Sequence, residues 1–293
     1  MKPFDRILFP CDFSEAADSM AAAVAALAEK FGASVTVLNA FNLVHEYRLD
    51  PARGVPDEAE PNTVPYVPAL QELRDVRAQR LEQFARTRFS GIEYKTTIVD
   101  GEPATAIEWA AKHEAADLVA LSTRGRGRFR RMLLGSITAK VLHDVECPVL
   151  TSAHEPGTLA ASPDGCRSIL CAVRLDPESE ATLQMAALLA RAYGARVCAL
   201  HLVSPGESGD ENASAQFVRR AFEQALGPGG SAKVEICVRI LDTDLPDCIR
   251  QTALDEAADL VVVGRGHARG SVSRVWSHLY AVIRESPCPV LSV

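Results

Sequence analysis

The sequence predicts an α/β protein made of two doubly wound, five-stranded parallel-sheet domains related by an internal duplication. Three observations predict this class. The chain has 293 residues, about twice the usual length of one domain. Short apolar runs alternate with segments of helical periodicity in both halves, which is typical of parallel sheets covered by helices on both faces. Finally, residues of the first half recur in the second at a nearly constant offset, as expected for a duplication.

The duplication is visible as matching residues at a nearly fixed separation. The pair Ile7-Leu8 recurs as Ile169-Leu170, an offset of 162 residues, and an Ala-Asp-Leu-Val motif recurs at an offset of 142. Near the ends of the two halves, Cys147–Leu150 recurs as Cys288–Leu291, at an offset of 141. The first half therefore carries about 20 extra residues, and its proline-rich segment 44–68 predicts a long loop there.

Each half is predicted to fold in the order β-α-β-α-β-α-β-α-β. Apolar runs predict the strands of the first half at residues 6–10, 34–41, 93–99, 118–121 and 149–151. The second half follows the same order, with its third strand at 234–241. Right-handed crossovers then restrict the topology to a doubly wound sheet.

Apolar spacing and end signals predict the helices of the first half. Ser14 can cap a first helix that continues through Phe31 and ends at Gly32. The other three helices are marked by apolar residues at helical spacing: Leu70, Leu73, Val76, Leu81 and Phe84; Ile107, Ala110 and Ala111; and Ile137, Val141 and Leu142.

The expected domains are residues 1–153 and residues 166–293. The segment between them, rich in proline, glycine and serine, is expected to be a linker. Doubly wound sheets bind ligands beyond the carboxyl ends of their strands, where the strand order reverses. The loops after the first and fourth strands are therefore the candidate sites.

The loop after the fourth strand combines glycines with positive charge. Gly125 and Gly135 let the backbone approach a ligand closely. Gly135-Ser136 stands at the start of the fourth helix, whose free N–H groups and dipole favour a phosphate. The Ser136 hydroxyl is expected to cap that helix and could also donate to the phosphate. Arginines add positive charge at positions 124, 126, 128, 130 and 131.

This loop resembles that of the universal stress protein family, whose nucleotide-binding members carry Gly-x-x-Gly, nine residues, and then Gly-Ser or Gly-Thr. Here Ser122 replaces the first glycine, Gly125 follows at the family spacing, and nine residues precede Gly135-Ser136. The segment Leu8–Ser14 is similar to the family's first strand and acidic loop. The resemblance covers nearly the whole chain and implies a Rossmann-like, nucleotide-binding fold of the HUP type.

The resemblance implies an adenine-nucleotide site in the first domain. In the family, the residues matching Pro10, Cys11 and Asp12 lie around the adenosine, and the residue matching Ala40 packs on the adenine. The remaining site residues belong to the glycine loop and the start of the fourth helix: Ser122, Arg124, Gly125, Gly135, Ser136 and Ile137. The implied cofactor is ATP, with or without Mg²⁺, and no catalytic or metal-ligating residue is expected.

These residues also have structural interpretations, which the sequence leaves open. Asp12 could cap the first helix rather than accept a hydrogen bond from a ribose hydroxyl or an adenine amine. Gly125 and Gly135 could serve turns. The arginines could form a solvated surface or, less in keeping with the acidic total, a nucleic-acid-binding arm.

The second half departs from the motif. Asp12 corresponds to Arg174, Gly125 to His267, and Gly135 to a tryptophan, Trp276, at the expected helix start. The second domain is therefore not expected to bind ATP. Its role is either structural or the binding of another anion through Arg174, Arg265 and His267.

The composition excludes several functional classes. The formal net charge is −7, from 31 basic and 38 acidic residues, whereas proteins that bind nucleic acids are usually basic. No apolar run approaches the roughly 20 residues of a membrane span, and no signal-peptide core is present. Eight cysteines without a CxxC pair predict buried free thiols in a reducing compartment. The protein is expected to be cytoplasmic, with neither nucleic acid nor membrane as a partner.

The sequence favours an ATP-binding regulatory protein of the stress response. It shows no general base beside the phosphate loop, no nucleophile elbow and no Walker lysine, so any hydrolysis would be slow. The alternatives are a dimerisation scaffold without nucleotide, or a slow ATPase or adenylating enzyme. The expected partners are an adenine nucleotide, the other domain of the same chain through the last strands, and a protein that the sequence does not identify. Whether two chains form a homodimer is left open.

Overall fold

The structure, a computed structural model, describes residues 2–41, 67–123, 135–152, 157, 159, 164–173, 179–203, 211–226, 233–240, 244–265 and 272–293. Within these residues the chain forms ten strands and eight helices, which confirms the α/β class. Most of the expected long loop, the arginine-rich loop and most of the expected linker lie outside the described residues.

The first half has nine elements in the predicted order. They are β1 (Arg6–Pro10), α1 (Glu15–Phe31), β2 (Ser34–Phe41), α2 (Val67–Arg88), β3 (Tyr94–Asp100), α3 (Pro103–His113), β4 (Leu118–Ser122), α4 (Ser136–Asp144) and β5 (Val149–Ser152). The strand ends agree with the sequence to within one residue.

The second half repeats this order. Its elements are β6 (Ser168–Val173), α5 (Ser179–Tyr193), β7 (Arg196–Val203), α6 (Glu211–Leu226), β8 (Lys233–Ile240), α7 (Leu245–Asp255), β9 (Leu260–Val263), α8 (Val272–Glu285) and β10 (Val290–Ser292).

The two sheets join into one. The strand order is β3-β2-β1-β4-β5-β10-β9-β6-β7-β8, parallel within each half and antiparallel only where β5 meets β10. Leu150 pairs with Leu291, its own counterpart in the duplication, so a local two-fold axis passes between these residues. The expected pairing of the last strands is confirmed. Each domain thereby covers one edge strand of the other.

Local signals explain the best-predicted helix. The Ser14 hydroxyl accepts a hydrogen bond from the Ala17 N–H at 3.1 Å, and Gly32 ends α1 in the left-handed conformation at φ 58°. Helix α2 differs from its expected pattern, because Val76 is 56% exposed while Leu81 is fully buried.

Each face of the sheet is covered by helices from both halves. One apolar cluster joins the sheet to α1, α2, α5 and α6, and the other joins it to α3, α4, α7 and α8. The repeated Ala-Asp-Leu-Val motif also has a structural role. Asp117 Oδ2 accepts from the Asp5 N–H at 2.8 Å, and Asp259 Oδ2 accepts from the Arg167 N–H at 2.7 Å. These carboxylates tie neighbouring strands together at the amino edge of each half. Over the described part of the chain, no helix combines the length and apolarity needed to cross a membrane.

Candidate functional site

Three of the predicted site residues of the first domain lie at the same edge of the sheet. Strand β1 lies between β2 and β4. Strands β2 and β3 are added on one side of β1, and β4 and β5 on the other, so the strand order reverses between β1 and β4. Pro10 ends β1, Ala40 lies one residue before the end of β2, and Ser122 ends β4. Because parallel strands share a carboxyl edge, these three residues border the crevice where such sheets bind ligands.

A buried amide fixes the backbone that follows β1. The Cys11 N–H donates to the Leu38 carbonyl at 2.8 Å, and Asn39 Nδ2 donates to the Cys11 carbonyl at 2.7 Å. Arg77, from α2, donates in turn to Asn39 Oδ1 at 3.3 Å. Neither Asn39 nor Arg77 was identified from the sequence. The available signal was an asparagine near the end of a mostly apolar strand.

Asp12 shapes the turn into α1. Its Oδ1 accepts from the Ser14 N–H at 3.0 Å and from Ser14 Oγ at 2.6 Å. Phe13, between them, has φ 60°, a conformation that bulky residues rarely adopt. Ser14 rather than Asp12 therefore caps α1, and Asp12 contributes by holding Ser14 in place. Both of these hydrogen bonds end on Oδ1 of Asp12. Its Oδ2 is the carboxylate oxygen that would accept a hydrogen bond from a ligand.

A groove of about 520 Å³ opens beside Phe13, between α1 and α2. Arg80 stacks over the Phe13 ring at 4.2 Å, and Arg88 forms an ion pair with Asp18 at 2.5 Å. Because its walls carry both acidic and basic side chains, the groove has no strong preference for an anion.

Helix α4 begins without a side-chain cap. Gly135 is the residue before the helix, with an ordinary φ of −60°, and offers no side chain for capping. A Cβ built on Gly135 would lie 3.6 Å from the Thr123 carbonyl oxygen and 3.7 Å from Thr138 Oγ1, which are ordinary contacts. The described fold therefore does not itself demand glycine at this position.

The first residues of this helix differ in part from the prediction. Ser136 was expected to cap α4, but it is the first helical residue and Gly135 occupies the cap position, so that expectation is wrong. The side chain of Ile137, another predicted site residue, is 39% exposed. Arg124, Gly125 and the rest of the arginine run lie outside the described residues.

Helix α4 is tied to α3 close to this site. Lys140 Nζ donates to Glu102 Oε2 at 3.1 Å and to Thr105 Oγ1 at 2.9 Å. Glu102 caps α3 by accepting from the N–H groups of Ala104 and Thr105. Partial burial opposes ionisation of Glu102, but the hydrogen bonds from Thr105, Lys140 and Ala104 outweigh it and lower its pKa to about 2.

The corresponding helix of the second domain starts elsewhere. Trp276 was expected at the helix start, but α8 begins at Val272, and Trp276 and Ser277 lie inside it. Tryptophan, unlike glycine, is readily accepted within a helix, so nothing ends the helix at that point. The N–H of Ser277 is therefore in the helical interior, whereas that of its counterpart Ser136 is in the first turn. Arg174 and His267 lie outside the described residues.

Arg265 does not belong to an anion site. The residue is only 8% exposed, and its guanidinium donates to backbone carbonyls of the first domain, including those of Glu146 at 2.9 Å and Cys147 at 2.8 Å. The alternative in which Arg265 helps to hold an anion in the second domain is therefore wrong, because its donors point to the other domain.

The surroundings of the cysteine thiol at the candidate site favour its protonated form. Cys11 is buried, and burial raises its pKa to about 11, so the thiol is protonated at neutral pH. The seven cysteines whose side chains are described are thiols and form no disulfide. Among the described residues, no group of three or more histidine, cysteine, aspartate or glutamate side chains could hold a metal ion.

Comparisons with known proteins point to one family. The model of the universal stress protein family matches residues 3–152 and again residues 165–293. A universal stress protein of Thermus aquaticus is 33% identical over 147 residues, which are 50% of this chain and 97% of that protein. One from Methanocaldococcus jannaschii is 26% identical over 147 residues, which are 50% of this chain and 81% of that protein.

One solved structure supports the fold over the whole chain. The crystal structure of a universal stress protein from Archaeoglobus fulgidus aligns with 99% of this chain and 96% of its own, with a TM-score of 0.71 at 22% identity. This likeness extends over both halves. A universal stress protein solved in complex with cAMP matches 50% of this chain and 92% of its own, with a TM-score of 0.35 at 16% identity.

Proposed function

The chain belongs to the universal stress protein family, with two domains of that family in tandem, and from this premise we propose that it is an ATP-binding regulatory protein of the stress response. The nucleotide would be held by the first domain alone. The observation that carries the proposal is the difference between α4, which starts at the carboxyl edge of the sheet, and α8, which runs through the corresponding position.

The residues of the first domain fit an adenine nucleotide. Gly135 leaves a space that a side chain could fill without a clash among the described residues, and a close-approaching phosphate would explain the glycine. The N–H groups in the first turn of α4, with Ser136 and Ile137, would hold the phosphates. Gly125, Arg124 and Ser122 would complete this end of the site.

At the other end of the site, Asp12 would accept a hydrogen bond from a ribose hydroxyl. Pro10, Cys11 and Ala40 would line the adenosine. The network from Arg77 through Asn39 to the Cys11 carbonyl fixes this backbone before any ligand arrives, which reduces the ordering cost of binding.

The bound nucleotide would act as a regulatory ligand rather than as a rapidly consumed substrate. The buried Cys11 thiol is protonated at neutral pH, and the Asp12 carboxylate already serves the turn into α1. Neither group is arranged as a general base. We propose that hydrolysis, if it occurs, is slow and depends on Mg²⁺ and arginine charge.

The test is the nucleotide content of the full-length protein, purified without added nucleotide and then denatured. We expect close to one adenine nucleotide per chain, identified by chromatography of the released fraction. Two per chain would contradict the restriction to the first domain. No nucleotide, together with no heat of ATP binding in calorimetry, would favour the scaffold alternative.

Three variants locate the nucleotide. Gly125→Val should abolish binding, because the side chain blocks backbone approach to the phosphates. His267→Val, the matched substitution in the second domain, should leave nucleotide content unchanged. Trp276→Gly should not create a second site, because one glycine does not restore the missing Asp12 counterpart. Normal binding by Gly125→Val would show that the nucleotide lies elsewhere.

A further inference from the structure

We infer that Arg265 is a positioning residue through which the second domain sets the nucleotide affinity of the first. The inference rests on the proposed nucleotide site and adds a means of regulating it. Arg265 contacts the end of α4 opposite to the one where the phosphates would bind.

The contact is extensive and buried. The Arg265 guanidinium donates to four carbonyl oxygens at and just beyond the end of α4, all in the first domain. They belong to Leu142 at 3.2 Å, Val145 at 2.5 Å, Glu146 at 2.9 Å and Cys147 at 2.8 Å. The last carbonyls of a helix lack intrahelical donors and carry partial negative charge, so a buried cation is well placed among them.

The two ends of α4 are mechanically connected. The helix has nine residues and is about 13 Å long at 1.5 Å per residue. Ser136 lies at the candidate phosphate end, and Leu142 lies near the end held by Arg265. Between them, Tyr280 of α8 donates to the Ala139 carbonyl at 3.3 Å. A shift of α4 at the Arg265 end therefore moves the N–H groups at its start.

The contact has no mirror image across the local two-fold axis. The counterpart of Arg265 is Thr123, whose N–H and Oγ1 both donate to the Ser152 carbonyl in its own domain, at 3.1 and 3.2 Å. Arg265 also directly precedes segment 266–271, the counterpart of the first domain's arginine-rich loop. The second domain thus uses this position to hold the first domain's helix instead of a ligand of its own.

Coupling of this kind is reciprocal. If the Arg265 contacts favour the orientation of α4 that binds nucleotide, then bound nucleotide must strengthen those contacts by the same factor. Nucleotide should therefore protect the backbone of residues 142–147, far from the phosphates, against hydrogen exchange.

The experiment measures ATP affinity by calorimetry on full-length protein stripped of nucleotide, alongside the melting temperature without ligand. Arg265→Ala should weaken binding by about 5- to 150-fold, the usual range of coupling between sites. Arg265→Lys, which keeps the charge and some donors, should recover part of the loss. The matched control is Arg196→Ala, which removes an arginine that donates to the carboxylate and carbonyl of Glu256 within the second domain.

The control separates positioning from stability. Arg196→Ala should lower the melting temperature yet leave ATP affinity within about twofold of the wild type, since the described side-chain hydrogen bonds of Arg196 stay within the second domain. Hydrogen exchange of the wild type with and without ATP should show slower exchange at residues 142–147. This comparison decides the matter even if Arg265→Ala fails to fold.

Each outcome is decisive. Wild-type affinity in Arg265→Ala, or exchange at 142–147 that ATP leaves unchanged in a wild type that binds it, overturns the inference and leaves the proposed function intact. No ATP binding by the wild type overturns both. Weaker binding in Arg265→Ala, partial recovery in Arg265→Lys and unchanged binding in Arg196→Ala support the inference.

Discussion

The guanidinium of Arg265 donates a hydrogen bond of 2.8 Å to the carbonyl oxygen of Cys147, although the two residues belong to different domains. Cys147 is the first residue of the repeated Cys-Pro-Val-Leu motif. The carbonyl of its counterpart, Cys288, has a different hydrogen-bond donor. The Cys288 carbonyl accepts from Ser286 Oγ of its own domain at 2.7 Å. The two halves have therefore diverged at their junction as well as at their candidate ligand sites.

Asp12 allows its structural and binding roles to be separated. Asp12→Asn keeps an Oδ1 acceptor for Ser14, so the free energy of unfolding should stay close to that of the wild type. Asp12→Ala removes both hydrogen bonds and should cost roughly 1–2 kcal/mol. Both variants should bind ATP about tenfold or more weakly, because a charged acceptor is lost.

Urea unfolding and ATP titration of the two Asp12 variants make the comparison. Unchanged ATP affinity in Asp12→Asn would show that the Asp12 carboxylate only shapes the turn into α1.

At Gly135, stability and affinity should change in different ways. Because the described fold has room for a Cβ there, Gly135→Ala should change the free energy of unfolding by less than about 1 kcal/mol. Gly135→Ser supplies a capping hydroxyl and should stabilise α4 by a few tenths of a kcal/mol. Both should nevertheless weaken ATP binding by at least about tenfold, because the added atoms occupy the phosphate position.

Thermal unfolding and ATP titration of the same preparations test this expectation. A large loss of stability in Gly135→Ala, with ATP affinity unchanged, would show that Gly135 has only a structural role.

Gly264 illustrates a glycine required by packing. It restores in the second domain the glycine that Ser122 replaces in the first, but a Cβ on Gly264 would lie 3.0 Å from the buried Thr182 Oγ1. Gly264→Ala should therefore destabilise the protein by about 1–2 kcal/mol through overpacking. Combining it with Thr182→Ala should cost less than the sum of the two single changes.

A double-mutant cycle in urea measures that coupling at Gly264, with nucleotide content expected to stay at about one per chain. Additive effects would mean that contact with Thr182 does not explain the glycine.

What the sequence could predict was largely local. Helix α1 is capped by Ser14 and ended by Gly32 as expected, because both residues act on the helix within a few positions of themselves. The start of α8 was misplaced, since Trp276 was assigned by its alignment with Gly135 rather than by its own helical preference. The hydrogen bonds of Arg265 were not predicted, although the pairing of β5 with β10 was. Apolar patterns and helix-end signals give no information about which backbone groups a side chain meets more than 110 positions away in the chain.

Glu102 gives the protein a pH dependence at the link between α3 and α4. Its pKa is lowered from the ordinary 4.5 to about 2, so the unfolded chain takes up the proton first as the pH falls. The stabilisation by ionised Glu102 is therefore complete above pH 4.5 and is lost between there and about pH 2. Because the side chain is 52% exposed, it should amount to less than about 1 kcal/mol.

Comparison with Glu102→Gln isolates this contribution. The difference in unfolding free energy between wild type and Glu102→Gln should be constant from pH 7 to 5 and shrink steadily below pH 4.5. In the matched background Lys140→Met, the same difference should be smaller and should vanish at a higher pH, because the charged donor that helps to depress the Glu102 pKa is gone. Parallel stability curves for wild type and Glu102→Gln down to pH 2.5 would mean that the hydrogen bonds from Thr105 and Lys140 do not favour the ionised form.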